Sequence, residues 1–176
     1  TLATSKTLVL SGANASCVCG AQAAIPGIIS MTADDTYLEI GNQSIITGVT
    51  GLVTGTGQVL KFGNECQTVG NITQSSLDSE IHFGSTANID GTVAQSGAGS
   101  TFATGARANL AQTFAQTGES SQARFGAVTQ IVGNMSVNAQ DASCVMDDTA
   151  NLDGTVLVSG GGARLILGDR CNLAQT

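Results

Sequence analysis

Chemistry needs reactive side chains held at fixed spacing, and this chain has few candidates. His82 is its only histidine. A catalytic triad or a histidine-rich metal site needs partners at defined offsets, and none is visible, so an exposed surface position is expected for His82. Asp141, Asp147, Asp148 and Asp153 lie close in sequence. They form neither an EF-hand loop nor a G-G-x-G-x-D calcium repeat, so a solvated turn is expected. Glycoside hydrolysis needs two carboxylates facing across a cleft, whereas Glu39, Glu65, Glu80 and Glu119 are scattered. No residue is therefore assigned a catalytic, cofactor-binding or metal-binding role. The chain is expected not to be an enzyme and to need no cofactor.

The remaining candidates are five cysteines and a set of amides, and their placement depends on a repeat. The segment "NIDGTVAQSGAGSTFATGARANLAQT", Asn88 to Thr113, returns as "NLDGTVLVSGGGARLILGDRCNLAQT", Asn151 to Thr176, identical at more than half its positions. This 63-residue offset divides into three units of 21. Units begin at Asn14, Asp35, Gly57, Asp78, Gly99, Ser120, Asp141 and Gly162, the second being one residue longer. Position seven is Gly in every unit but one, where Asp147 stands, and position fourteen is mostly Gly. Glycine at such intervals is expected to mark turns, often with positive φ. Positions four, six, twelve and sixteen are apolar, while position five carries Glu39, Lys61, His82 and Arg124. Period-two alternation between turns makes short strands with an apolar inside and a polar outside.

Three strands per 21-residue unit describe an all-β fold. One β-solenoid domain spanning residues 1–176 is predicted, with about eight coils, uncapped ends and a rod length of roughly 40 Å. The usual crossover rule makes it a right-handed parallel β-helix. Glycine every seven residues and the lack of a 3.6-residue apolar stripe argue against helix. Phe62, Phe83, Phe125 and Leu167, all at position six, are expected to form one buried stack.

Position eleven reads Gln67, Asn88, Asn109, Gln130, Asn151 and Asn172. Stacked amides can donate to one neighbour and accept from the other, so a structural ladder is expected; an amide-lined sugar groove is the functional alternative. Cys17 and Cys144 share a column but lie six coils apart, roughly 29 Å. Cys66 and Cys171 share another, five coils apart. Neither pair approaches the ~5.5 Å between Cα atoms that a disulfide needs. Cys17 and Cys19 alternate along one strand, a poor geometry, and Cys144 with Cys171 is a doubtful pair. The expectation is that the cysteines are small buried hydrophobes. Links between subunits through Cys17, Cys19 and Cys171 are the sharper alternative.

Charged residues make up 11% of the chain and the net charge is −7. Without a basic cluster, nucleic acid is not an expected partner, and no apolar run is long enough for a membrane helix. Sequons begin at Asn14, Asn42, Asn71 and Asn134, possible glycan sites in an exported protein. The start at Thr1 rather than Met is expected of a processed precursor.

Monomeric solenoids cover their open sheet edges with atypical caps. Here the repeat runs into both ends, so copies of the chain are the expected partners. Residues 1–13 and 162–176 together overfill one coil by seven positions, so a seamless junction is not expected. The cadence G-x-x-x-x-[IL]-x-G-x-V, as in "GSTANIDGTV", resembles that of bactofilins. The resemblance covers most coils and implies polymers built from uncapped β-helices. In its Gly, Ala, Thr and Asn richness the chain is similar to secreted sheath and fibre subunits. The expected function is a structural subunit that self-assembles end to end into an extracellular or cell-surface filament, fibre or sheath. A binding module, such as the shaft of a phage fibre or surface adhesin, is the alternative. Ice binding by a flat Thr face is weaker, because Asn71 and Asn134 interrupt Thr92, Thr113 and Thr155.

Overall fold

The computed structural model describes residues 7–52 and 54–174. Among them are 24 strands and no helix, hence none long and apolar enough to cross a membrane. The strands form three parallel sheets of eight. The first runs from Leu8–Leu10 to Val156–Ser159, the second from Ser16–Cys19 to Arg164–Leu167 and the third from Ala24–Ile25 to Arg170–Ala174. The chain visits all three in turn, then repeats. Each strand thus pairs with the one a full coil away, as in Ile81↔Phe102 and Asn88↔Asn109. The fold is a β-solenoid of about eight coils with a 21-residue period. The extra residue of the second unit falls between the first and second sheets, because Met31 pairs with Leu52 at an offset of 21 while Tyr37 pairs with Val59 at 22. The overfilled positions at the ends fall on residues 1–7 and 170–176, of which 1–6, 175 and 176 lie outside the described residues.

The apolar columns face inward as period two requires. Leu38, Leu60, Ile81 and Phe102 at position four are fully buried, and so are Ile29, Ile72, Val93 and Phe114 at position sixteen. The aromatic stack differs from expectation. Phe62 and Phe83 stack face to face, with ring centroids 4.2 Å apart. Thr104 then interrupts position six, so Phe102, from position four, bridges Phe83 to Phe125 at 6.0 and 5.8 Å. Phe114 joins from the first sheet, edge-on to Phe125 at 5.1 Å. Leu167 lies in the last coil and is only partly buried.

The turn chemistry also needs correction. The left-handed conformation belongs to position one, where Asn14, Asp35, Gly57, Asp78, Gly99, Ser120, Asp141 and Gly162 all have φ between 49° and 75°. Asn, Asp and Gly are the residues that tolerate it. No position-seven glycine has positive φ. Glycine is needed there because a coil passes directly over the previous one: a Cβ on Gly105 would collide with the Gly84 carbonyl, and one on Gly126 with that of Gly105. At position fourteen both reasons apply, since Gly70, Gly133 and Gly154 have φ of 139–150°.

Candidate functional site

Two polar columns run along the rod, one inside and one outside. The inner one is at position eighteen, where Gln74, Gln95 and Gln116 are wholly buried between the first and second sheets. Each Nε2 donates to the carbonyl oxygen and the hydroxyl of a serine five residues on, and to a carbonyl of the next coil. For Gln95 these are Ser100 O (3.0 Å), Ser100 Oγ (3.2 Å) and Gln122 O (3.0 Å). Gln74 with Ser79 and Gln116 with Ser121 repeat the set. Their Oε1 atoms are buried without a partner. Sequence reasoning missed this column because Leu10, Met31, Val137 and Val158 share it with the glutamines. Its parity with position sixteen already pointed it inward.

The outer column is position eleven, on the third sheet. Asn109 Nδ2 donates to Asn88 Oδ1 (3.0 Å) and Asn172 Nδ2 to Asn151 Oδ1 (3.2 Å). Gln67 and Gln130 lie in the same column without hydrogen-bonding to it, so the ladder is two pairs rather than a continuous chain. Gln67, Asn88, Asn109 and Gln130 line a shallow groove with Asp90 and Val132 at its side.

The other candidates stay apart. His82 is part-exposed and its Nε2 lies 3.0 Å from Glu80 Oε2. Asp147 keeps the backbone place of position seven, its N–H donating to Phe125 O as that of Gly84 does to Phe62 O, while its carboxylate turns outward to pair with Arg124 of the preceding coil at 3.1 Å. Among the described residues no three His, Cys, Asp or Glu side chains converge as a metal site would require. All five cysteines are free. Cys66 and Cys144 are fully buried, and burial pushes both thiols above their ordinary range, Cys144 furthest. Cys17 and Cys19 are half-buried in the first coil, where burial and then the neighbouring Cys17 raise the Cys19 thiol. Cys171 is half-buried in the last coil and its Sγ donates to Gly168 O (3.4 Å). The structure therefore does not bring Cys171 near Cys17 or Cys19 within one chain.

The sequon residues Asn14, Asn42, Asn71 and Asn134 are all exposed. Three also tie coils together: Asn42, Asn71 and Asn134 each accept, through Oδ1, a backbone N–H of the following coil, from Asn64, Thr92 and Thr155.

These features define a three-sided parallel β-solenoid held by stacked apolar, glutamine and asparagine columns, a fold that fits a structural or fibre-like role and is consistent with solenoid-type polymer proteins. No protein-family model, curated protein or solved structure matches the chain.

Proposed function

We propose that the chain is a non-enzymatic structural subunit that stacks coil on coil with further copies of itself into a filament, fibre or sheath outside the cell. The carrying observation is that the required interface already occurs between every two successive coils of one molecule, in register and parallel. A coil is its own template. The outermost coils keep the same inner columns, and their Cys17, Cys19, Leu165 and Leu167 are half-buried where the equivalent Leu38, Ile40, Cys144 and Met146 are covered.

With eight strands in every sheet, a second copy can continue all three sheets in register provided that its residues 1–7, which share unit positions with residues 170–176 of the first copy, stay out of the shared coil. Leu8–Leu10 would follow Val156–Ser159, Ser16–Cys19 would follow Arg164–Leu167, and Ala24–Ile25 would follow Arg170–Ala174. That register sets Cys17 on Leu165, Cys19 on Leu167 and Cys171 on Ala23. No thiol meets a thiol, so such a stack is held by backbone hydrogen bonds and apolar burial and withstands reduction.

Replacing Leu173 by Pro and Ala174 by Lys removes an edge donor and adds charge to the terminal strand. Under electron microscopy the unmodified protein should form filaments, with and without reductant. The double variant should keep its sheet circular dichroism and form none. If both fail to form filaments at high concentration under oxidising and reducing conditions, the stacking reading is wrong and the binding-module alternative takes its place.

A further inference from the structure

The outer face of the first sheet differs from the other two. Its outward positions are fifteen, seventeen and nineteen, and among the described residues none of them carries Asp, Glu, Lys, Arg or His. The protein's net charge of −7 lies elsewhere. The second sheet shows Glu39, Lys61, His82 and Arg124 outward, and the third shows Glu65, Asp90, Arg107 and Asp153. The middle of the first face is also flat. Its central column reads Ser30, Gly51, Thr73, Ala94, Ala115 and Ser136, in register along the rod. Val9 and Leu157, 50% and 51% exposed, close the column at its two ends.

That column is close to a palindrome in side-chain size. Turn a second copy about an axis along the strands, and Val9 meets the other copy's Leu157. In the same way Ser30 meets Ser136, Gly51 meets Ala115 and Thr73 meets Ala94. In column fifteen the same rotation sets Ile28 against Asn134 and Val49 against Thr113, whereas in the central column each pair joins small to small or apolar to apolar. Such self-complementarity is what a two-fold interface requires. Small stacked side chains also let two sheets approach as a dry interface. A copy carrying the same negative charge is repelled least here.

We propose that this face pairs with the same face of a second copy, the two rods lying antiparallel. Eight strands of three or four residues, taken with the flanking outward positions fifteen and nineteen, give a footprint of ~600 Å² per copy, or ~1,200 Å² in all, the lower bound for a stable specific interface. The full rod length is therefore needed. The pairing is lateral and does not depend on end-to-end stacking.

The experiment separates the two contacts. The Leu173→Pro, Ala174→Lys variant, in which stacking is blocked, should sediment as a dimer. Adding Ala94→Arg lowers the net negative charge yet buries an unpaired cation, and should raise the dissociation constant about a hundredfold. Ala103→Arg, on the charged second face, should leave the dimer intact. Circular dichroism checks that each variant is folded. Added salt should tighten the dimer, since the paired faces carry no charge and the remaining repulsion is screened. A stacking-blocked variant that stays monomeric at millimolar concentration overturns lateral pairing, as do folded Ala94→Arg and Ala103→Arg variants that dimerise equally. Filaments from the unmodified chain in that case leave the stacking proposal standing. Dimers without filaments do the reverse.

Discussion

Gln95 and Ser100 illustrate how a buried polar pair fits inside an apolar rod. The amide gives its protons to Ser100 O, Ser100 Oγ and Gln122 O, while Ser100 Oγ donates to Gly97 O (2.7 Å). The other coils show the alternative solution. Where position eighteen is Val137 or Val158, position two of the next unit is Ala142 or Ala163; where it is Gln74 or Gln116, the partner is Ser79 or Ser121. The two positions change together in six of the eight coils; Met31 with Thr36 and Leu52 with Gln58 do not follow. Gln95→Val should therefore cost about 1–3 kcal/mol, from lost hydrogen bonds and lost volume. Adding Ser100→Ala should cost about 1 kcal/mol less than the sum of the two single changes. Urea unfolding of the four proteins measures this, and additivity within about 0.4 kcal/mol would mean that the pair is not coupled. Cys144 gives a second test at this scale. Burial raises its thiol pKa far above the ordinary range, whereas the unfolded chain ionises near ~8.5. The folded state thus keeps a proton that the unfolded state loses. Stability from this group is complete below about pH 8.5 and falls by ~1.4 kcal/mol per pH unit above it. Cys66 and Cys19 act in the same direction. In reductant, Cys144→Ala should flatten the decline between pH 8.5 and 9.5 by about 1 kcal/mol, since the full slope is reached only above that range.

At the scale of strands and corners, the period and the four apolar columns were legible because side-chain type and burial agree there. Leu38, Leu60, Ile81 and Phe102 could face only one way. Position ten was less legible. It holds Cys66, Ala87, Ala108, Thr129 and Ala150, all buried, but small side chains carry little hydrophobic signal. Position eighteen was hidden by its glutamines. The corners were misread for a different reason: glycine marks both positive φ and close approach, and sequence alone does not separate the two. The structure does, with opposite consequences for mutation. Gly105→Ala would push a methyl group into the Gly84 carbonyl and the Ser85 backbone, so the coils must part, at a cost of about 1–3 kcal/mol or more. Gly99→Asn introduces a residue that already occupies the same left-handed corner at Asn14. A Cβ there would collide with the Asp78 carboxylate, the end of a side chain that can rotate, and meet the Asp78 backbone only at ordinary contact, so the change should stay within about 1 kcal/mol. Thermal unfolding of the two variants orders them, and a larger loss for Gly99→Asn would reverse the roles given to these columns. The amide column was likewise legible by spacing. That only Asn88–Asn109 and Asn151–Asn172 bond was not, because the longer arms of Gln67 and Gln130 are free to turn into solvent.

Across the whole molecule each coil touches only its neighbours, so stability is local and builds toward the middle. Ile81, Phe102 and Phe125 have a covering coil on both sides and are fully buried or nearly so, whereas Leu165, Leu167 and Cys171 have one on a single side. Backbone groups follow the same rule. Strands Glu80–Phe83 and Gln122–Phe125 are paired on both edges, while Val156–Ser159, Arg164–Leu167 and Arg170–Ala174 are paired on one. Amide hydrogen exchange in the unassembled protein should therefore be slowest in the central coils, and faster in the last three strands by at least about tenfold for each 1.4 kcal/mol of missing cover. Assembly then distinguishes the two proposed contacts. Stacking pairs the open edge, so protection of Arg164–Leu167 and Arg170–Ala174 should rise toward the central value. Lateral pairing covers side chains of the first sheet and leaves those edge amides as they were. Exchange measured on filaments of the unmodified chain and on dimers of the stacking-blocked variant should show the rise only in the filaments. Filaments whose terminal strands exchange as fast as in the free protein would have to be joined through some surface other than the coil edge.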